Sequence, residues 1–136
     1  MKKGKKKWIF VVLISILVIF VIGAIVIRTN DELRFKFSYG MMNYIPYENG
    51  EKIVIDIPFD NGIKYLEGKE IIDIFTTGTG IIYLGYSSCP WCRNIIEPLI
   101  EVAKENDIDT IYYVNTYDNE FDSIKGDLKE ILNDYL

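Results

Sequence analysis

Residues 8–27 read WIFVVLISILVIFVIGAIVI, twenty consecutive positions without a charge. At 1.5 Å of rise per residue such a helix spans about 30 Å, the thickness of a bilayer's hydrocarbon core. Nothing on it is polar enough to face water, which argues against the core helix of a soluble protein. A soluble core must therefore be built from residues 28–136. Lys2, Lys3, Lys5, Lys6 and Lys7 precede the stretch, whereas only Arg28 follows it before Asp31 and Glu32. The positive-inside rule then keeps the N-terminus cytoplasmic and puts the chain from about residue 28 onward outside, with Trp8 at the interface. A cleaved secretory signal peptide is the competing reading. Such peptides carry a shorter apolar run of roughly 7–15 residues and a small-x-small cleavage site. Here Gly23-Ala24 runs on into Ile25-Val26-Ile27, and no Cys stands near the end to accept a lipid. An uncleaved, single-pass anchor in the cell membrane is the expectation, and both readings place the domain outside.

The organisation expected is a basic cytoplasmic tail (1–7), a transmembrane anchor (8–27), a membrane-proximal segment (28–50) and a globular domain (51–136). Residues 28–136 carry 10 basic and 20 acidic side chains. That balance does not suit nucleic acid and keeps the domain off an anionic lipid surface; a solvated acidic face is the plainer account of it. The absence of His removes the usual general base and the commonest metal ligand.

In the membrane-proximal segment Phe35, Tyr39 and Met42 fall at helical spacing, and Pro46 with Asn49-Gly50 reads as loop and turn. The segment is too aromatic for a flexible linker. Lys52–Ile57 alternates and is rich in β-branched residues, which predicts a strand ended by Pro58. Residues 67–76 predict a helix with Ile71, Ile72 and Phe75 on one face, ended by Gly78-Thr79-Gly80. Ile81–Tyr86 is a continuous apolar run, as in a strand buried on both faces. A helix is expected from Cys89 to about Asn106, with Ile95, Ile96, Leu99, Ile100 and Ala103 apolar. A second buried strand covers 110–115, and an amphipathic helix over 121–136 turns Phe121, Ile124, Leu128, Ile131, Leu132 and Tyr135 inward. The order β-α-β-α-β-α implies an α/β fold with a largely parallel sheet and right-handed crossovers.

The chemistry concentrates where strand 81–86 gives way to a helix through Ser87-Ser88 and Cys89-Pro90-Trp91-Cys92. Cys89 falls at the N-cap, and Pro90 at the first helical position, where a missing N–H is tolerated. The helix N-terminus offers partial positive charge and free N–H groups to a thiolate. Two intervening residues let Cys92 return to Cys89 within one turn, so a mixed disulfide at Cys89 can be resolved by Cys92. Half of a zinc site is the first alternative, but zinc takes about four ligands and the chain has no other Cys and no His. Only a site shared between chains or completed by carboxylates would serve. A purely structural disulfide is the second alternative, and it would close a loop so small that little chain entropy is removed. Trp91 is expected exposed beside the thiol, shaping substrate contact together with Pro90, with ordinary packing as the alternative for the indole. Arg93 reads either as a charge that lowers the thiolate pKa or as a solvated helix-surface residue.

Residues 53–136 resemble the thioredoxin superfamily. Tyr83-Leu84-Gly85-Tyr86-Ser87-Ser88-Cys89-Pro90-Trp91-Cys92-Arg93, followed by Ile111-Tyr112-Tyr113-Val114-Asn115, is similar to the small membrane-anchored thioredoxin-fold proteins of low-GC Gram-positive bacteria, some of them called bacteriocin transport accessory proteins. The resemblance implies a thioredoxin-like fold, Cys89 as attacking thiol and Cys92 as buried resolving thiol, with the Cys89–Cys92 disulfide in place of any separate cofactor. It also implies exported protein thiols and disulfides, and a further redox protein, as partners. Three positions depart from the family pattern. A buried acid six residues before the first Cys is replaced by Tyr83, which can donate a hydrogen bond or simply fill the core. A Pro five residues after the second Cys is displaced to Pro98. The cis-proline strand, the second antiparallel strand and the final helix do not follow helix 121–136, as in a C-terminally truncated thioredoxin-like domain. Two functions are thus expected: a thiol–disulfide oxidoreductase, or a non-catalytic accessory module that uses the same fold for docking.

Overall fold

A computed structural model describes residues 3–133. The first element, α1 (Lys3–Thr29), is long and apolar enough to cross a membrane, and none of its spanning portion is buried against the rest of the protein. Asn30 interrupts the helix with extended backbone, and its Oδ1 accepts from the Leu33 amide at 2.8 Å. That cap starts α2 (Asp31–Met41), whose first turn carries Asp31 and Glu32 where the helix dipole favours acids. A single 3-10 turn, Met42–Tyr44, closes it.

Three strands form the sheet: β1 (Ile63–Tyr65), β2 (Ile81–Gly85) and β3 (Ile111–Asn115). Their order is β1-β3-β2, and both pairings are parallel, with Ile111 opposite Ile63 on one side and Ile81 on the other. Helices α3 (Lys69–Thr77), α4 (Pro90–Glu105) and α5 (Asn119–Asn133) connect and follow the strands. The β-α-β-α-β-α order is therefore present, with a parallel sheet as parallel crossovers require.

Period-2 alternation along β3 splits the core into two layers. Ile111 and Tyr113 face a cluster with Phe35 and Tyr39 of α2, Ile55, Ile57, and Ile96, Ile100 and Ala103 of α4. Val114 faces the other cluster with Leu66, Ile71 of α3 and Ile124 of α5. Phe35 and Tyr39 are wholly buried, so α2 is part of the main core. Leu128 is buried on α5 as expected, while Tyr135 lies outside the described residues.

Three expectations need correction. Lys52–Ile57 is not a strand. It keeps its alternation, with Ile55 and Ile57 buried, but it lies between α2 and α4, whose side chains replace a sheet ladder. Asn43 holds the Ile55 amide and carbonyl at 3.1 and 2.8 Å, Glu97 accepts from the Asp56 amide at 2.9 Å, and Lys36 donates to the Ile57 carbonyl. The first strand is instead Ile63–Tyr65, too short for its periodicity to register. Second, β2 is an edge strand and Leu84 is exposed, so it is not buried on both faces. Third, Ile95 is exposed on α4. It falls off the stripe 93, 96, 100 and 103 that faces the sheet.

Candidate functional site

The dithiol sits at the carboxyl end of β2, where the chain turns into α4. The Cys89 amide donates to the Tyr86 carbonyl at 3.1 Å, which closes the turn through Ser87 and Ser88. Cys89 is the N-cap of α4 in extended backbone (φ −73°, ψ 121°), and Pro90 opens the helix. The Cys92 amide donates to Cys89 Sγ at 3.3 Å, and the Arg93 amide donates to the Cys89 carbonyl at 3.0 Å. The first sulfur thus takes the place that a Ser or Asp oxygen fills at an ordinary N-cap, in contact with a free helix-end N–H. Both cysteines are free thiols and half-buried. Trp91 is 82% exposed beside them.

Cys92 packs under the sheet end. Burial pushes its thiol pKa up, and the neighbouring Cys89 adds to the shift; the Tyr86 backbone and the Tyr83 hydroxyl oppose it. Tyr83 does both things considered for it. Its ring is buried in the core against Tyr113 (centroids 5.6 Å apart), and its hydroxyl donates to the Cys92 carbonyl at 3.1 Å. The same hydroxyl meets Tyr39 Oη at 3.2 Å. Gly85 makes room for the arrangement: a Cβ there would lie 3.0 Å from Cys92 Sγ and 3.1 Å from the Tyr83 hydroxyl. Only glycine lets backbone, thiol and phenol approach this closely.

Arg93 is not a solvated surface charge. It is 1% exposed, and its guanidinium bonds Tyr39 O at 2.7 Å, Ser87 O at 3.1 Å, Ile53 O from two nitrogens at 2.8 and 3.2 Å, and Asn43 Oδ1. No carboxylate faces it at ion-pair distance among the described residues. The planar fork instead collects carbonyl oxygens from α2, from the 53–57 segment and from the turn before Cys89. The signal was in the sequence: Arg93 is three residues before Ile96 and seven before Ile100, on the buried stripe. Asn43, which completes the clamp, carried no such signal.

Two grooves flank the dithiol. Tyr47, Glu48, Asn49, Glu51, Ile53 and Pro90 line one. The other, largely apolar, runs past Cys92 between Tyr83, Leu84, Trp91, Ile95 and Pro98. Among the described residues no three potential metal-ligating side chains gather at one point. No protein-family model, curated protein or solved structure matches this chain.

Proposed function

We propose that this chain is a membrane-tethered, extracytoplasmic thiol–disulfide oxidoreductase with a thioredoxin-like domain, acting through Cys89 and Cys92 on exported proteins. One observation carries the reading: Cys89 Sγ is the N-cap acceptor of α4, 3.3 Å from the Cys92 amide, with the second thiol one turn along the same helix. That contact gives the first sulfur a hydrogen-bond donor at the helix end and sets it beside its resolving partner.

In the reducing direction the Cys89 thiolate attacks one sulfur of a substrate disulfide. The substrate S–S bond breaks, its second sulfur leaves as a thiolate that takes up a proton, and Cys89 is left in a mixed disulfide. Cys92 then loses its proton, attacks Cys89 Sγ and expels the remaining substrate sulfur. The substrate gains two electrons and two protons, and the chain ends as the Cys89–Cys92 disulfide. Run backwards, the same steps oxidise a substrate dithiol, and the redox partner sets the direction. Exposed Trp91 and the apolar groove beside Cys92 offer an unfolded or extended segment a surface next to the reacting sulfur.

Insulin reduction by the full chain in detergent, with dithiothreitol as electron source, tests the reading. Activity that vanishes in Cys89→Ser and leaves a trapped mixed disulfide in Cys92→Ser is expected. Equal, background-level reduction by wild type and Cys89→Ser refutes it and favours a non-catalytic docking module.

A further inference from the structure

All four charged side chains of α2 are turned onto the body of the protein. Asp31 Oδ2 accepts from the Tyr65 amide at 3.1 Å, and Glu32 Oε1 accepts from the Gly62 amide at 2.8 Å. Arg34 pairs with Glu67 at 2.8 Å and lies 4.0 Å from the centre of the Tyr65 ring. Lys36 pairs with Asp56 at 3.3 Å and stands over the Phe59 ring. The opposite face shows Leu33, Phe37, Gly40, Met41 and Tyr44, which fall on one helical stripe and carry no charge. Phe37, Met41 and Tyr44 are 46%, 67% and 81% exposed. They border a shallow groove floored by Ile55 and Ile57, whose lining also includes Asn43 and the paired Lys36 and Asp56. A helix on a water-facing surface has the reverse arrangement.

Position says what covers this face. Asn30 alone separates α1 from α2. With Asn30 extended and Met42–Tyr44 in a 3-10 turn, Phe37 and Tyr44 stand roughly 14 and 26 Å along the chain from the end of the span at Thr29. A helix so tethered, with aromatic and thioether side chains outward and charges inward, matches the interfacial zone of a bilayer, where aromatic residues concentrate.

We propose that α2 lies in the membrane interface, with Phe37, Met41 and Tyr44 set among lipid headgroups and upper acyl chains. The inference rests on α1 spanning the bilayer. It has a consequence for the dithiol: Arg93 joins Tyr39 O and Asn43 of the α2 end to Ser87 O, so a docked α2 holds Cys89 at a set height above the lipid.

The test uses the full chain, with Cys89 and Cys92 both changed to Ser, carrying one nitroxide at Met41→Cys. It is reconstituted in vesicles of phosphatidylethanolamine and phosphatidylcholine, whose surface carries no net charge to repel the acidic domain. Power-saturation electron paramagnetic resonance then compares accessibility to oxygen with accessibility to a water-soluble nickel chelate. Labels at Val18→Cys, inside the span, and Glu101→Cys, exposed on α4, are the references. Oxygen should dominate at 41 as at 18, nickel at 101, and adding Phe37→Asp should shift 41 toward nickel at unchanged helicity. If 41 behaves like 101 while 18 is in the lipid, the inference falls and the anchor stands. If 18 behaves like 101, the anchor falls and takes the inference with it. Spin–spin broadening at 41, or protection from both reagents, assigns the face to a second copy or to protein and overturns the proposal.

Discussion

Replacing Arg93 by Met should unfold the domain far more readily than its place next to a surface-exposed Trp91 implies. The guanidinium serves four acceptors. Tyr39 O lies wholly inside, and an acceptor left dry there costs about 1–3 kcal/mol. The acceptors on Ile53, Ser87 and Asn43 are at half-buried residues. They rehydrate, each losing a net bond of about 0.5–1.5 kcal/mol. Against this, Met removes the desolvation penalty of a buried cation, which amounts to a few kcal/mol. A net loss of about 2 kcal/mol results, equivalent to a fall in Tm of roughly 8–16 °C for a domain of this size. Near-ultraviolet circular dichroism of the full chain in nanodiscs, under reducing conditions, measures it. Arg93→Lys decides what the residue supplies. An ammonium keeps the charge but cannot span three carbonyls and an amide oxygen from one plane. The lysine variant should therefore melt no higher than the Met variant. A lysine variant as stable as wild type would refute the fork geometry as the cause, and an unshifted Met variant would refute the clamp.

Three further outcomes are expected. Tyr83→Phe removes the hydroxyl that opposes the effect of burial on Cys92; in a Cys89→Ser background the Cys92 pKa should rise further, read as a later onset of maleimide reactivity on raising pH, with about 1 kcal/mol lost in stability. Gly85→Ala forces a methyl against Cys92 Sγ and the Tyr83 ring, and should lower stability by about 1–3 kcal/mol and slow release of the mixed disulfide, seen by trapping and mass analysis. Alkaline pH should destabilise the reduced protein in two stages. Cys92, raised by burial from 9.0, contributes stability that is present below pH 9 and lost as pH climbs toward its folded value. Tyr39, Tyr83 and Tyr113 are raised from 10.0, again by burial first, so their contribution is lost above pH 10. The share of tyrosinate absorbance that Tyr39→Phe, Tyr83→Phe and Tyr113→Phe variants lose should appear together with loss of the near-ultraviolet signal, and its appearance without unfolding would contradict the burial.

Local pattern carried much of this protein on its own. The twenty uncharged residues make α1 a membrane-length helix whatever surrounds them, because its backbone satisfies itself and its side chains ask only for an apolar medium. Pro90 directly after Cys89 marks a helix start, and the apolar runs at 81–85 and 111–115 are strands long enough to declare themselves. Those segments were legible because the information lies within one turn or one run. What folding in three dimensions decided is where unlike segments meet. Ile53–Ile57 has a strand's alternation, yet Asn43, Glu97, Lys36 and Arg93 claim its backbone groups first, and β1 takes the sheet edge with three residues. Arg93 became an interior clamp because carbonyls 40 and 54 residues away in the chain converge on it. A hydrogen-bond acceptor brought in by tertiary packing leaves no periodic trace in the sequence, and such acceptors are what hold the turn before Cys89.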